Sequence, residues 1–324
     1  MSYSIDDIAF TAEHLVRPEC VLATRAGHLY VADFRGGVSH ITPTGEQYFY
    51  GGGDVAGYGQ LKPNGIALLA DGSFLVAHLG DEKGGVFRVY RDNRIEPYVT
   101  HIAGEHLPPS NFIYLDKQGR LWLTVSTRHT PRAAAYRSDI KDGFIAVIED
   151  GQARIVADNI GYTNEVFVTP DGMQLYVNAT FSRELLRYDI TADNQLENAK
   201  VISQFEAGVY PDGLTMDSQG YLWIVSIVSN RLIRLNPATG QYQIMLQDVD
   251  IDHLNWVEQA YQQHAMGRPH LDQVKAKRLS NISSLAFSGE NLSRMVFGCL
   301  LGAKLAYIDT EFSGIAPAHW HFDD

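Results

Sequence analysis

Two short apolar runs, each preceded by turn-forming residues, make up the stretch Val209-Tyr-Pro-Asp-Gly-Leu-Thr-Met-Asp-Ser-Gln-Gly-Tyr-Leu-Trp-Ile-Val225. Runs of β-branched and aromatic residues bounded by Pro, Asp and Gly are typical of strands and hairpins. The stretch therefore predicts a turn, a strand, a hairpin and a second strand. Asp212 stands at the entry to the first strand, and Gly220 marks the hairpin eight residues later.

The same layout occurs five times along the chain. In each copy an oxygen-bearing side chain stands eight residues before a glycine, and a short apolar run follows that glycine. The pairs are Glu19 with Gly27, Asn64 with Gly72, Asn111 with Gly119, Asn164 with Gly172, and Asp212 with Gly220. A sixth, looser copy at Ser283-Ser-Leu-Ala-Phe287 aligns by the phase of its apolar residues.

The glycines of neighbouring copies are 45 to 53 residues apart, and further strand-like runs fill each interval. Four short strands in a unit of this length are typical of a β-propeller blade. Six units fit within 324 residues, so we predict an all-β fold, a single six-bladed β-propeller domain over residues 1–324 with four-stranded blades. A helical solenoid is excluded because turns interrupt the apolar runs after four to six residues. Residues 5–12 are expected to form a strand that joins the last blade and closes the ring.

One segment between blades five and six has helical periodicity. Leu254, Val257, Tyr261 and Ala265 follow the spacing of one helix face. We therefore predict a short helical insertion at about 251–279. Two interpretations stay open: the insertion packs on its own propeller, or it forms a homo-oligomer contact through residues 253–278.

The chain is acidic, with 26 Lys and Arg against 38 Asp and Glu and a formal net charge of −12. This charge disfavours nucleic acid and anionic membranes as partners. No stretch approaches the roughly 18 apolar residues of a membrane span, and no signal peptide is evident at the N-terminus. A cytoplasmic protein is expected. Cys20 and Cys299 lie in apolar strand contexts, which predicts two buried free thiols.

The repeat also predicts where polar side chains meet. The innermost strands of all propeller blades run in the same direction along the channel, so residues at the same phase form a ring at one mouth. These residues are Glu19, Asn64, Asn111, Asn164 and Asp212. Two carboxylates in a partly buried ring are costly without a counterion. Because the ring offers oxygen ligands and neither His nor Cys, it suits Ca²⁺ first, then Mg²⁺ or Mn²⁺, with Zn²⁺ a further option.

The loops that leave the second strand of each blade are expected to cover this ring. His78 lies in the loop of blade two, and the long loop of blade three, residues 126–141, contains the basic residues Arg128, His129, Arg132, Arg137 and Lys141. This long loop is either a solvated basic segment or a lid that steers an anionic substrate. Phe34, Phe112 and Phe181 are expected to make the walls apolar.

Several ring residues stand in characteristic local motifs. These are Pro18-Glu19, Ser110-Asn111 with Gly119-Arg-Leu-Trp122, Thr163-Asn164 with Pro170-Asp-Gly172, and Pro211-Asp-Gly213 with Gly220-Tyr-Leu-Trp223. In order and spacing they resemble the regucalcin, gluconolactonase and luciferin-regenerating enzyme family over about residues 15–310. The resemblance implies a six-bladed propeller that hydrolyses sugar and related lactones with a divalent metal.

By resemblance, Glu19, Asn164 and Asp212 would bind the metal directly, and Asp212 would also act as the general base. Asn111 would lie beside the metal and contact the substrate. Asn64, Arg128 and His78 are further candidates for substrate binding.

The chain departs from the family at one informative place. Family members that act on sugar lactones often carry Arg two residues before the Asn that matches Asn111, and Asp just after it. Here those positions hold Pro109 and Phe112. This departure argues against a sugar lactone as the substrate of the gluconolactonase-like hydrolase. The phenylalanines favour a less hydroxylated lactone and the basic loop an acidic one, opened to its hydroxy acid.

Three other functions fit the same architecture. A phosphoester or fluorophosphate hydrolase would use the same metal site, as in the related diisopropyl fluorophosphatase. A strictosidine synthase-like propeller would need no cation. A non-catalytic binding propeller would use the metal structurally.

Overall fold

Six sheets of four or more strands surround a central channel in the computed structural model, which describes residues 2–322. The innermost strands of successive sheets contact one another, and the innermost strand of the sixth sheet contacts that of the first. The predicted six-bladed β-propeller is therefore confirmed.

Blades one to three occupy residues 21–160. The first elements of the chain are a 3₁₀ turn (Ile5–Asp7) and β1 (Ala9–Thr11). Blade one contains β2 (Val21–Ala23), β3 (Leu29–Asp33), β4 (Gly37–Ile41) and β5 (Gln47–Gly51), and a hairpin of β6 (Asp54–Val55) and β7 (Gly59–Gln60) follows it. Blade two contains β8 (Pro63–Leu68), β9 (Phe74–His78), β10 (Gly85–Val89) and β11 (Ile95–Val99). A hairpin of β12 (His101–Ile102) and β13 (Glu105–His106) precedes blade three, which contains β14 (Ser110–Leu115), β15 (Leu121–Val125), β16 (Gly143–Glu149) and β17 (Gln152–Ile160).

Blades four to six complete the ring. Blade four contains β18 (Thr163–Val168), β19 (Gln174–Ala179), β20 (Glu184–Ile190) and β21 (Leu196–Gln204). Blade five contains β22 (Tyr210–Met216), β23 (Leu222–Ile227), β24 (Arg231–Leu235) and β25 (Tyr242–Gln247). Blade six contains β26 (Ile282–Ser288), β27 (Arg294–Cys299) and β28 (Leu305–Asp309), to which β1 adds the fourth strand.

The pairing of β1 with β28 closes the ring. The two strands are antiparallel, with Ala9 opposite Tyr307 and Thr11 opposite Leu305. The predicted closing strand is therefore confirmed, and it covers what would otherwise be an exposed sheet edge. Blade three differs from the predicted four strands, because β12 pairs with β17 and extends that sheet to six strands.

The repeated glycines mark the hairpins between the first and second strands of five blades. Gly27, Gly72, Gly119, Gly172 and Gly220 all have positive φ angles, between 75° and 88°. Residues with a Cβ rarely adopt this region, whereas glycine does so without strain. The spacing that reveals the repeat therefore follows from a backbone requirement of each hairpin.

The helical insertion packs on its own propeller. Helix α1 (Ile251–Gln262) begins after the N-cap Asp250, and α2 (Arg268–Asp272) follows Gly267. Leu254, Val257 and Tyr261 of the predicted face join a buried apolar cluster with Phe181 and Tyr210. Ala265 lies beyond the end of α1 and is exposed. Among residues 2–322, no helix combines the length and the apolar character needed to cross a membrane. Both cysteines are buried and free, as predicted.

Glycines beside the ring positions allow the blades to approach one another closely. A Cβ on Gly65 would lie 2.6 Å from the Phe112 Cα, and a Cβ on Gly213 would lie 2.6 Å from the Ser284 Cα. Neither glycine has a positive φ angle, and both lie inside strands, although Pro-Asn-Gly and Pro-Asp-Gly are ordinary turn sequences. Close contact between backbones of neighbouring blades, rather than a turn, therefore requires these glycines.

The substitution Gly213→Ala is expected to lower the free energy of unfolding by about 1–3 kcal/mol, because the added methyl group must displace the backbone of blade six. Gly53→Ala is the matched control, since Gly53 has no positive φ angle and its Cβ would meet nothing within 4 Å. Thermal denaturation of both variants measures the difference. Equal melting temperatures would contradict the packing explanation.

His78 at the end of β9 has a structural role in the fold. Its Nδ1 accepts a hydrogen bond of 2.8 Å from the Lys62 backbone N–H. Burial, followed by the charge of Lys62, lowers the pKa of His78 to about 4. The imidazole is therefore neutral in the folded chain near neutral pH, as its role as an acceptor requires.

Protonation of His78 predicts a loss of stability in acid. An unfolded histidine takes up a proton as the pH falls below about 6.5, whereas the folded protein does so only near pH 4. The contribution of His78 is thus present above pH 6.5 and decreases by about 2–3 kcal/mol as the pH falls to 4. His78→Asn, which keeps an acceptor, should show a shallower loss in melts over this range. His14→Asn, at an exposed position, should lose stability with falling pH as the unmodified protein does. If stability fell equally steeply with pH in all three proteins, the role assigned to His78 would be wrong.

Candidate active site

All five residues of the predicted ring line one cavity at a mouth of the central channel. The cavity has a volume of about 360 Å³, part of it open to solvent. Each ring side chain is buried; the residues are Glu19, Asn64, Asn111, Asn164 and Asp212. The sequence repeat thus brings together side chains that are far apart along the chain.

β-Bulges aim these side chains away from the regular ladder. The pairing of the innermost strand with its neighbour shifts between Pro63 and Ile66, between Ser110 and Phe112, between Thr163 and Val166, and between Pro211 and Leu214. These four shifts contain, in the same order, the ring residues Asn64, Asn111, Asn164 and Asp212. A bulge leaves a residue unpaired and redirects its side chain, which is why bulges are frequent next to active sites.

The amide side chains form a directed chain of hydrogen bonds around the mouth. Arg17 Nη1 donates to Asn64 Oδ1 at 3.2 Å, and Asn64 Nδ2 donates to Asn111 Oδ1. Asn111 Nδ2 in turn donates to Asn164 Oδ1 at 2.9 Å. Asn164 Nδ2 donates to Thr180 Oγ1 at 3.0 Å. Every amide of the ring therefore has a defined orientation, set by its neighbours.

The two carboxylates differ in how their charge is balanced. Arg17 Nη1 lies 2.7 Å from Glu19 Oε2 and forms an ion pair with it. Glu19 Oε2 and Asp212 Oδ1 are both buried without a regular hydrogen bond within residues 2–322, so the ion pair with Arg17 is what distinguishes Glu19 from Asp212. Burial, and then the charges of Glu19 and Glu165, raise the pKa of Asp212 well above its usual value, while Arg17 and Arg132 oppose this increase. Asp212 is thus the buried group of the ring that lacks compensation.

A divalent cation fits this arrangement of donors. It would lie between two carboxylates and could use an unengaged lone pair of an amide oxygen, which are the ligands that Ca²⁺ and Mg²⁺ prefer. The set has only two acidic residues, and among residues 2–322 there is no group of three or more His, Cys, Asp or Glu that could hold a metal ion. The unpartnered Asp212 Oδ1 is the observation that favours a cation here.

Loops, a strand end and the helical insertion supply the cavity walls, of which the sequence predicted the exit loops and Phe181. The walls contain three aromatic and three aliphatic side chains: Tyr136, Tyr162, Phe181, Ile227, Leu271 and Leu300. They also contain three arginines, namely Arg17, Arg132 and Arg268. Arg17 and Tyr162 each stand two residues before a ring residue, which is a local signal that could have identified them. Arg268 and Leu271 reach the cavity from α2, and no local signal indicates this.

Two of the candidates for substrate binding do not line the cavity. Arg128 forms a bidentate ion pair with Asp158, with distances of 2.8 and 3.0 Å. The imidazole of His78 accepts a hydrogen bond from the Lys62 backbone N–H. Asn64 and Asn111 do line it, although each is engaged in the chain of hydrogen bonds. Of the three predicted phenylalanines, Phe181 lines the cavity, and Phe112 faces the channel beyond the ring.

Beyond the ring, the channel widens into an apolar space of about 870 Å³, part of it open to solvent. Glu165, one residue after Asn164, is buried there among apolar side chains. Its Oε2 accepts a hydrogen bond of 3.2 Å from the Leu214 backbone N–H. Burial raises the pKa of Glu165 to about 8. Because Glu165 lines this apolar space, its carboxyl group lies on the other side of the ring from the cavity.

The chain is similar in sequence to a lactonase. The chain is 25% identical over 216 residues to the 6-deoxy-6-sulfogluconolactonase of Pseudomonas putida. The matched region covers 65% of this chain and 65% of that relative, so the chain spans just under two thirds of the relative's length.

Solved structures share the fold. The luciferin-regenerating enzyme superposes with a TM-score of 0.71 at 17% identity, over 96% of this chain and 98% of that one. A regucalcin from Agrobacterium tumefaciens, described as a calcium-binding protein, superposes with a TM-score of 0.66 at 15% identity, over 94% and 96% of the two chains. At these identities the likeness shows the fold alone.

A family model described as the SMP-30/gluconolactonase/LRE-like region matches residues 17–247. This range extends from blade one to the end of blade five and contains every residue of the ring. The six-bladed fold, the ring at the channel mouth and this match together show that the chain belongs to the SMP-30/gluconolactonase/LRE-like family.

Proposed function

We propose that the protein is a hydrolase that opens a lactone to its hydroxy acid, with a divalent cation held by Glu19, Asn164 and Asp212. The observation that carries this proposal is the buried, unpartnered Asp212 Oδ1 beside Glu19 in one cavity. Membership of the family and the activity named for the Pseudomonas putida relative support it.

Calcium is the first candidate for the cation. Carboxylate and amide oxygens are hard ligands, and the ring contributes neither His nor Cys. The regucalcin with the same fold is described as a calcium-binding protein. Mg²⁺, Mn²⁺ and Zn²⁺ remain alternatives that metal titration would separate.

The residues of the ring have separate tasks in the proposed reaction. When bound, the cation would supply positive charge for the developing oxyanion and would make a neighbouring water more acidic. Asp212 accepts the proton of the attacking water. The water oxygen forms a bond to the carbonyl carbon, the ring C–O bond breaks, and the departing alkoxide takes the proton back from Asp212 to give the hydroxy acid.

The surrounding side chains orient these groups and exclude water. Asn111 holds Asn164 through its Nδ2, so that the Asn164 carbonyl oxygen keeps a single direction. Asn111 Nδ2 also donates to Ser126 Oγ at 2.8 Å, which anchors it to the loop of blade three. Tyr136 and Phe181 stack with a centroid distance of 4.7 Å and form an apolar wall. A compact ring-shaped substrate would lie against this wall, partly shielded from bulk water.

Removal of the cation should destabilise the folded protein. A ligand that binds only the folded state adds about 3 kcal/mol at a hundredfold excess over its Kd. EDTA is therefore expected to lower the melting temperature, and Ca²⁺ should restore it. Asp212→Asn is the matched variant and should lose most of this response. A melt that does not change with EDTA, together with elemental analysis that finds no metal, would contradict the proposed site.

Asp212→Asn should also lower kcat by about 10²–10⁴-fold, the usual cost of losing a general base. The substitution keeps the shape and one carbonyl oxygen but removes the proton acceptor and one charge. Asn64→Ala should cost less, because Asn64 takes no proton and contributes hydrogen bonds with Arg17 and Asn111.

The measurement is turnover of a lactone panel in a pH-indicator assay with each variant. The assignment would be wrong if Asp212→Asn kept near-full activity while Asn64→Ala lost it. A panel on which the unmodified protein opens no lactone, while it cleaves a phosphoester or fluorophosphate, would favour the phosphoester alternative instead.

A further inference from the structure

Arg132 brings a positive charge to the cavity without a carboxylate partner. It begins the 3₁₀ helix Arg132–Ala135 in the loop of blade three. Its Nη2 donates to the neutral Ser126 Oγ at 3.1 Å. Its Nε is buried and has no hydrogen-bond partner within residues 2–322. A buried guanidinium N–H without an acceptor is costly, and four other arginines of the described chain also have such a nitrogen. Arg132 differs from them because it lines the cavity, where a bound molecule can supply the acceptor.

The other arginines of the same loop show that carboxylate partners are within easy reach. Arg128 is paired with Asp158, and Arg137 is paired with Asp139 at 2.6 Å. The whole chain carries a formal net charge of −12. The absence of a carboxylate beside Arg132 is therefore a local property of the cavity and does not reflect a shortage of acidic residues.

The remaining charges of the cavity do not supply the missing anion. Arg17 is paired with Glu19. Arg268 is paired with Asp272 and also donates to the Tyr136 hydroxyl at 3.4 Å. With a divalent cation bound, the two carboxylates of the cavity, Glu19 and Asp212, would face the two charges of the cation together with those of Arg17 and Arg132, so the cavity would carry excess positive charge. The charge of Arg132 would then be unbalanced.

We propose that Arg132 is an anion-binding residue and that the lactone opened here carries an anionic substituent, namely a carboxylate, a sulfonate or a phosphate ester. This inference rests on the proposed function, since it names the substrate class of the same site. Arg268, at the start of α2, adds positive charge to the wall of the same cavity.

The geometry around Arg132 suits this role. Its guanidinium lies over the Tyr162 ring with 5.5 Å between the guanidinium carbon and the ring centroid. This contact and the bond to Ser126 hold the guanidinium plane, so its N–H groups are oriented before the anion binds. The enclosed part of the cavity is small, because its empty space of about 360 Å³ includes open solvent. The anionic group and the lactone ring therefore belong to one compact molecule.

A matched pair of lactones tests the inference. The γ-lactone of α-hydroxyglutarate has a carboxylate where γ-valerolactone has a methyl group. The unmodified protein should show the higher kcat/KM on the carboxylate. Arg132→Gln should lower the ratio of the two kcat/KM values by about 10- to 100-fold, as expected for a hydrogen-bonded charge pair, and added salt should lower it in the same direction. Lactones with a sulfomethyl or phosphomethyl group at the same carbon identify the preferred anion.

The ratio separates anion binding from an indirect effect. Arg132 also acts on the charge of Asp212, but a change in Asp212 would alter the rates of both lactones equally and leave the ratio constant. Arg132→Lys, which keeps the charge, should restore part of the ratio. Arg137→Gln removes the same charge from the same loop at a position paired with Asp139, and the ratio should not change.

Binding of tetrahydrofuroate separates failure of this inference from failure of the proposed function. This carboxylate has the same ring without the carbonyl group and cannot be hydrolysed. Calorimetry should show binding to the Ca²⁺-loaded protein and a loss of about tenfold or more with Arg132→Gln, whether or not any lactone is opened. The inference is overturned if Arg132→Gln binds tetrahydrofuroate as the unmodified protein does, or if it slows both lactones equally.

Discussion

The burial of two carboxylates in one ring is the constraint on which the rest of the site depends. Glu19 and Asp212 lie at the mouth of the channel, where water cannot fully solvate them. Unpaired charges in such a place are costly. One of them is compensated within the chain, because Arg17 pairs with Glu19. The other, Asp212, has an oxygen without a partner among the described residues, and this difference is what makes the site suited to a cation.

Hydrogen bonds around the channel mouth offset part of the cost of burying these polar groups. The amides between the two carboxylates are linked by hydrogen bonds from Arg17 to Thr180, and the Thr180 hydroxyl then donates to the Pro211 carbonyl at 2.8 Å. Each donor is directed to the next acceptor around the mouth, so the three amides of the ring all have hydrogen-bond partners. The same network fixes the amide oxygens before any ligand arrives, which is how a preorganised site reduces the cost of binding.

Two parts of the chain have distinct roles in the site. The repeated strands and their bulges provide the ring, and the symmetry of the blades places it on the channel axis. The walls come from segments outside the repeat, namely the loop of blade three with Arg132 and Tyr136, and helix α2 with Arg268. Since loops tolerate change more easily than strands, we infer that the ring supplies the chemistry and the walls supply the choice of substrate.

The sequence by itself determined the six blades, the closing strand and the convergence of the ring, because these follow from local requirements. Each hairpin needs a positive φ, as at Gly72 and Gly220, and therefore a glycine. This glycine always stands eight residues after the ring residue, and that spacing is visible in the sequence. Only the tertiary structure decided that Arg17 pairs with Glu19, that Arg132 rather than Arg128 reaches the cavity from the predicted loop, and that Arg268 reaches it from α2. It also decided that His78 accepts a hydrogen bond from the Lys62 backbone and that Arg128 pairs with Asp158. Each of these contacts depends on the path of a loop or of a helix outside the repeat. No local sequence pattern specifies such a path.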